Sequence, residues 1–301
     1  MKERMKILIG YDGSEPADAA LDELRRAGLP GEAEVLVISV AELWFAPAQS
    51  GEATPSRGER LDIISLKEAR EQGRQVLEKM EVMASQAFER IKAGFPDWHI
   101  LTEACADSPA SAIVRRADEW GADLIVVGSH GRSSLGRLAL GSISQKVATE
   151  AHCSVRIGRG RVLESIRPVR VLIGVDGSPG AQSAVRAVAA RPWPAKTEVR
   201  LITLTGGYYN VIGAEASDAT EQAREIQRKP EIELRQAGLD VSLKVDTGDP
   251  RQAIVEEARS WGADSIFVGA RGLSKIKRFL LGSVSAAVAA RAHCSVEIVR
   301  R

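Results

Sequence analysis

The chain is built twice from one plan. Residues 120–159, opening Trp120-Gly121-Ala122-Asp123, lie over residues 261–300, opening Trp261-Gly262-Ala263-Asp264, at a constant offset of 141 and without a gap; 23 of those 40 positions are identical. The starts of the copies match as well, Ile9-Gly10-Tyr11-Asp12-Gly13-Ser14 against Ile173-Gly174-Val175-Asp176-Gly177-Ser178, at an offset of 164. Whatever one copy folds into, the other must fold into too. The offsets differ by 23 residues, and Glu34–Val40 still aligns with Glu198–Leu204, so the first copy carries extra length after Val40. That length covers the Pro/Gly/Ser/Glu-rich stretch Ala46–Arg60, which reads as a loop. Basic Gly158–Arg167 joins the copies. At ~150 residues per domain, 301 residues make two domains, which we set at 1–160 and 161–301.

Each copy reads as five strands alternating with four helices. In copy one the strand candidates are Met5–Tyr11, Ala33–Val40, Trp98–Ala104, Asp123–Gly128 and Cys153–Gly158, short Val/Ile-rich runs bounded by turn residues. The clearest helix runs from about Leu61 to Ala93. Its stripe of Leu66, Ala69, Gly73, Val76, Met80, Met83, Ala87 and Ile91 is expected to pack on a sheet, with a partner-binding face as the alternative. The counterpart near Glu215–Ala237 contains Pro230, which removes the bond to Ile226 and predicts a bent or split element. Alternating strands and helices imply a mostly parallel, doubly wound α/β sheet covered on both faces. Such sheets bind ligands at the carboxyl ends of strands where the strand order reverses.

The loops after strands one and four carry the informative residues. Copy one reads Gly128-Ser129-His130-Gly131, nine residues, then Gly141-Ser142; copy two reads Gly269-Ala270-Arg271-Gly272, nine residues, then Gly282-Ser283. Glycines leaving a strand let a ligand approach backbone N–H groups. Gly-Ser opening a helix offers free N–H groups, the positive dipole end and a hydroxyl to an anion. Together they read as a phosphate site, although neither GxxxxGK[ST] nor GxGxxG occurs in the chain. Each part also has a plainer reading. Gly-Ser can be only a helix cap, Asp12 and Asp176 can be turn residues, and Ser14 and Ser178 are expected to cap the first helices.

With G-x2-G-x9-G-[ST] complete twice, Asp-Gly-Ser after strand one and Ala-His-Cys before strand five, the chain resembles the universal stress protein family in its tandem form. The resemblance implies a five-stranded Rossmann-like or flavodoxin-like domain that binds ATP or a related adenine nucleotide (ADP or AMP type), with or without Mg2+, and serves as a stress-response regulator. It puts Asp12 and Asp176 on the nucleoside side and Val40 and Leu204 beside the base. Gly128, Gly131, Gly141 and Ser142, with Gly269, Gly272, Gly282 and Ser283, form the phosphate cradle. Gly10, His130, Arg132 and Ile143 in copy one, and Arg271 and Val284 in copy two, complete the candidate set. It also implies that the fifth strands meet across a pseudo-twofold axis as an intramolecular pair; a homodimer stays open. The family often has proline after the cysteine of strand five, where Ser154 and Ser295 stand here.

Composition narrows the function. With 41 basic and 40 acidic residues, gripping nucleic acid or an anionic membrane is not expected. Apolar runs are strand-sized, no signal peptide is visible, and Cys105, Cys153 and Cys294 form no CxxC pair, so the expected compartment is the cytoplasm. The His152-Cys153 and His293-Cys294 pairs are read as structural, with metal binding as the alternative. Cys105 is a packing residue, and Trp120 and Trp261 anchor helix ends. The neutral total hides an imbalance: residues 1–160 hold 20 basic and 24 acidic residues, and residues 161–301 hold 21 and 16. Copy one offers His130, Arg132 and Arg137 in its loop; copy two offers Arg271, Lys275, Lys277 and Arg278. These cations either draw a polyanion more strongly to the second site or form a solvated loop that only aids solubility. Three functional classes remain at this point: a nucleotide-binding regulator, a slow ATP-hydrolysing enzyme, and a scaffold of the same fold that binds no nucleotide.

Overall fold

A computed structural model describes residues 4–42, 63–131, 140–160, 167–205, 216–272 and 281–300, with side chains from 71 onward in the first long helix and from 218 in the second. Its first half contains β1 (Met5–Gly10), α1 (Glu15–Asp22), β2 (Ala33–Ala41), α2 (Ile63–Gly94), β3 (His99–Ala106), α3 (Pro109–Trp120), β4 (Leu124–Gly128), α4 (Ser142–Glu150) and β5 (Ser154–Gly158). The second contains β6 (Arg170–Gly174), α5 (Pro179–Ala189), β7 (Glu198–Leu204), α6 (Ala216–Gln236), β8 (Asp240–Asp246), α7 (Pro250–Trp261), β9 (Ser265–Gly269), α8 (Ser283–Arg291) and β10 (Ser295–Val299). The stretch 46–60, Arg132, Arg137, Lys275, Lys277 and Arg278 lie outside the described residues.

Local sequence explains the helix ends. Ser14 and Ser178 cap α1 and α5 by accepting from the Ala17 and Ala181 N–H groups, and a proline follows each within the first turn. Gly121 and Gly262 end α3 and α7 at φ 71°, where a side chain would be strained. Just before them, Lys6 lies over the Trp120 ring, and Arg170 and Arg200 over the Trp261 ring.

Two helices depart from expectation. Along α2, among the described side chains, the predicted stripe packs on the sheet through Met83, Ala87 and Ile91, joined by Ala84; Gly73 and Val76 are exposed, and the side chains of Leu66 and Ala69 lie outside the described residues. Thirty-two residues make a helix of about 48 Å, whereas β2, at nine residues, spans about 30 Å. The helix overhangs its sheet. The second is α6, which runs through Pro230 as one helix and is not split. The lost bond and ring clash cost about 3 kcal/mol, and burial of Ala219, Ala223, Gln227, Pro230 and Leu234 at helical spacing offsets that cost. Gln227 adds hydrogen bonds from its amide to the Leu201 and Lys244 carbonyls of β7 and β8.

The ten strands form one sheet in the order β3-β2-β1-β4-β5-β10-β9-β6-β7-β8. Every pairing is parallel except β5 with β10, which is antiparallel. The fifth strands therefore meet as expected, and the order reverses between β1 and β4 and again between β6 and β9. On one face a single apolar core crosses the seam, from Leu8, Ile125, Val155 and Ile157 to Val296, Ile298, Leu172 and Ile266. The opposite face holds two separate cores. Between those two cores lies a buried ionic chain. Glu23 binds Arg156 through both carboxylate oxygens at 2.7 and 2.6 Å, Arg156 binds Glu297 at 3.1 Å, and Glu297 binds Arg191.

The serines that replace the family's proline join this seam. The Ser154 hydroxyl accepts from the Arg300 N–H at 3.1 Å, and the Ser295 hydroxyl accepts from the Arg159 N–H at 3.0 Å. Proline in their place would offer no oxygen to these groups.

Candidate functional site

At each reversal of strand order the chain leaves a cavity, and the sequence-predicted residues gather there. The first, about 80 Å3, is lined by Gly10, Asp12, Val40, Gly128, His130, Gly131 and Ile143, with Tyr11 and Ser144. The second, about 210 Å3, is lined by Asp176, Leu204, Gly269, Arg271, Gly272, Gly282, Ser283 and Val284. Gly141 and Ser142 open α4 beside the first cavity. Arg132 is outside the described residues.

Asp12 closes a turn with one carboxylate oxygen and turns the other towards Gly131. Its Oδ1 accepts from the Ser14 N–H at 3.0 Å and the Ser14 hydroxyl at 2.6 Å, closing the turn into α1. Its Oδ2 faces Gly131, where an added Cβ would sit 2.9 Å from it. Copy two repeats the arrangement: Asp176 Oδ1 accepts from the Ser178 N–H at 2.9 Å, and a Cβ on Gly272 would lie 2.6 Å from Oδ2. The glycine opens space in front of a carboxylate oxygen that the turn leaves free.

Gly128 and Gly269 are glycine for a different reason. A Cβ on Gly128 would sit 2.9 Å from the Pro16 carbonyl and the Ala17 nitrogen of α1, and one on Gly269 would sit 2.3 Å from the Gly180 backbone of α5. These contacts set how closely the first helix of each half approaches its fourth strand.

The helix that follows is oriented by residues that sequence reasoning missed. The Ser144 hydroxyl donates to the Gly128 carbonyl at 2.6 Å, and the Ser285 hydroxyl to Gly269 at 2.6 Å. Gly141 and Gly282 are bound through their own N–H groups to Ser129 and Ala270 at 2.8 Å. Among the described residues, no side chain caps the first turn of α4 or α8. The N–H groups there keep their hydrogen-bonding capacity and the positive end of the helix dipole for an anion. The identity of Ser144 and Ser285 between copies was the signal available in the sequence.

The two sites differ in charge and lining. His130 in the first accepts from or donates to the Ser129 hydroxyl through Nδ1 at 3.0 Å. Its counterpart Arg271 is exposed, and Ala270 in place of Ser129 offers it no hydroxyl. Tyr11 lines the first cavity and donates to Asp18 at 2.6 Å; burial first, and then Asp18, raise its phenol above the usual range. Val175 takes its place in the second. His152 bonds Asp118 at 2.8 Å, and among the described residues no three His, Cys, Asp or Glu side chains converge as metal ligands. No helix among them is long and apolar enough to cross a membrane.

Comparison with known proteins agrees with this geometry. The chain is 27% identical to a universal stress protein of Mycolicibacterium smegmatis over 303 residues, covering 98% of this chain and 96% of that one. It is 27% identical to one from Mycobacterium tuberculosis over 247 residues, 77% of this chain and 78% of that protein. The crystal structure of a universal stress protein from Archaeoglobus fulgidus superposes with a TM-score of 0.68 at 22% identity, covering 98% of each chain, which establishes the shared fold. The sequence profile of the universal stress protein family matches twice, over residues 3–159 and 169–300, so the chain belongs to the universal stress protein family in tandem form.

Proposed function

We propose that the chain comprises two domains, 1–160 and 161–301, each binding an adenine nucleotide at its own switch point, and that occupancy of these sites makes the protein a stress-response regulator. The observation that carries this reading is the pairing, at both cavities, of a carboxylate oxygen facing a glycine with an uncapped helix N-terminus. Phosphates suit the N–H groups of Ser142 and Ile143, or of Ser283 and Val284. The ribose hydroxyls suit Asp12 or Asp176, and the base suits the apolar wall of Val40 or Leu204. The nucleotide would be ATP or an ADP- or AMP-type relative. Each cavity wall offers one carboxylate among its described residues, so a Mg2+ travelling with the nucleotide would be held chiefly by phosphate oxygens and water. The same scarcity of groups to position a nucleophile favours a regulator over an ATP-hydrolysing enzyme. The second site, wider and carrying Arg271, is the stronger candidate for a triphosphate. All three cysteines are unpaired, in keeping with a reducing cytoplasm.

The test is to denature the purified protein, identify any released nucleotide by mass spectrometry, and titrate the ligand-free chain with ATP by calorimetry. Released ATP or ADP, or a saturable heat with ATP, is the expected result. Neither one would leave the scaffold reading in its place. Phosphate release from an ATP-binding preparation would move the assignment to a slow enzyme.

A further inference from the structure

Arg159 and Arg300 stand at equivalent positions, each directly after the fifth strand of its half. Among the described residues, the hydrogen bonds of both side chains go to the opposite domain. Arg300 reaches over the seam and donates to the carbonyls of Ala148, in the last turn of α4, and Cys153, at 3.4 Å, just beyond it. Arg159 makes the reciprocal reach and donates to Ala292, the residue that ends α8, at 2.6 Å. Both are half-buried, and their own backbone N–H groups are fixed by the opposite domain's Ser154 and Ser295. Each domain thus supplies a cation at the negative end of the other's last helix, where unpaired carbonyls collect; α8 also carries its own Arg291 there.

Those two helices are the ones whose opposite ends face the cavities. At nine residues, α4 is about 13 Å long, so Arg300 holds one end of a short rod whose other end is the first site. Arg300 is also tied to the second site. The Ala270 N–H, in the loop after β9, donates to the Val299 carbonyl at 2.9 Å, one residue before Arg300. Arg271 lies close enough to disfavour charge on the Arg300 guanidinium, after burial itself.

We infer that Arg159 and Arg300 are positioning residues acting in trans, each setting the anion-binding end of the other domain's last helix across the seam. This rests on the nucleotide reading for its ligand, but not for the clamp itself.

The experiment uses the full chain with Arg300→Ala, Arg300→Lys and Arg159→Ala. Without ligand, hydrogen exchange is followed in peptides covering residues 142–151 and 283–292. With ATP, the first site is titrated while the second is closed by Gly272→Val, and the reverse with Gly131→Val. Arg300→Ala is expected to speed exchange in 142–151 while 283–292 stays at the wild-type rate, and to weaken the first site roughly three- to tenfold. Arg300→Lys should restore most of both effects, and Arg159→Ala should give the mirror image. Faster exchange in 283–292 for Arg300→Ala, or equal changes in both peptides, overturns the inference. Should Arg300→Ala not fold, the Lys variant is read by the same peptides: a small selective change in 142–151 supports the clamp, and none overturns it. If wild-type protein binds no ATP, the nucleotide reading falls, and the exchange pattern alone still decides the clamp.

Discussion

Arg156 and Glu297 are the same position in the two copies, and they face each other across the seam at the centre of the antiparallel pair, 3.1 Å apart and almost wholly buried. Glu23 and Arg191 extend the pair to four alternating charges. Nearby, the Phe267 ring centroid lies 6.0 Å from the Arg156 guanidinium and 5.1 Å from that of Arg191. Removing one member leaves a charge buried without its partner. Glu297→Ala is therefore expected to destabilise the fold by about 3–5 kcal/mol, measured as a shift in urea unfolding. Because the network is shielded from solvent, added salt should change that loss little. A loss under about 1 kcal/mol would show that water enters the seam.

The paired glycines of the binding loop should separate in their effects. Gly128→Val drives a side chain into the backbone of α1, so the expected outcome is a sharp fall in melting temperature. Gly131→Val meets, among the described atoms, only the end of the Asp12 side chain. It should leave the melting temperature close to wild type and abolish ATP binding at the first site. Unfolding by Gly131→Val would reassign that glycine to structure.

The two oxygens of Asp12 have different tasks, and two substitutions distinguish them. Asp12→Asn keeps Oδ1 as the acceptor for Ser14, so stability should stay within about 0.5 kcal/mol of wild type, while nucleotide affinity falls with the loss of the free carboxylate oxygen. Asp12→Ala also removes the turn, at a further cost of about 1 kcal/mol. Calorimetric titration beside thermal melts of both variants checks the pair. An unchanged affinity for Asp12→Asn would confine the residue to the turn.

Thiol labelling reads the environments of the three cysteines. Burial pushes Cys294 up to about 12 and Cys153 up to about 11, with nearby Arg159 and Arg300 acting in the opposite direction. Cys105, half-buried, is raised by burial, Glu103 and Asp107. Alkylation of the native protein, mapped by mass spectrometry, should proceed in the order Cys105, Cys153, Cys294. Because the thiolate reacts, each rate should rise about tenfold per pH unit between pH 7 and 9. Early labelling of Cys294 would contradict the closed seam.

The fold was largely legible because its signals are local. Strand runs such as Ile7-Leu8-Ile9 and Leu124–Val127, caps such as Ser14, and the glycines after Trp120 and Trp261 each depend on residues close in sequence. Asp12, Gly131 and Gly141 were legible because the motif recurs in both copies. The ionic chain at the seam was not, because the partners of Glu23 and Arg156 lie 133 and 141 residues away. One signal was available: within two otherwise similar fifth strands, Ser-Val-Arg-Ile and Ser-Val-Glu-Ile, the central charge reverses. Arg159 and Arg300 are identical in the copies yet sit where a strand ends, so nothing nearby showed whose helix they reach. Pro230 does not split its helix, because the buried stripe around it holds the element together against one lost backbone bond.

The reversed charge at the centre of the seam also bears on which halves can pair. Two copies of the first half, joined through the same register, would set Arg156 against Arg156; two copies of the second would set Glu297 against Glu297. Only unlike halves place opposite signs on the axis. Separated, neither half could pair with a copy of itself and keep opposite charges on the axis, so the register favours the pairing of one half with the other.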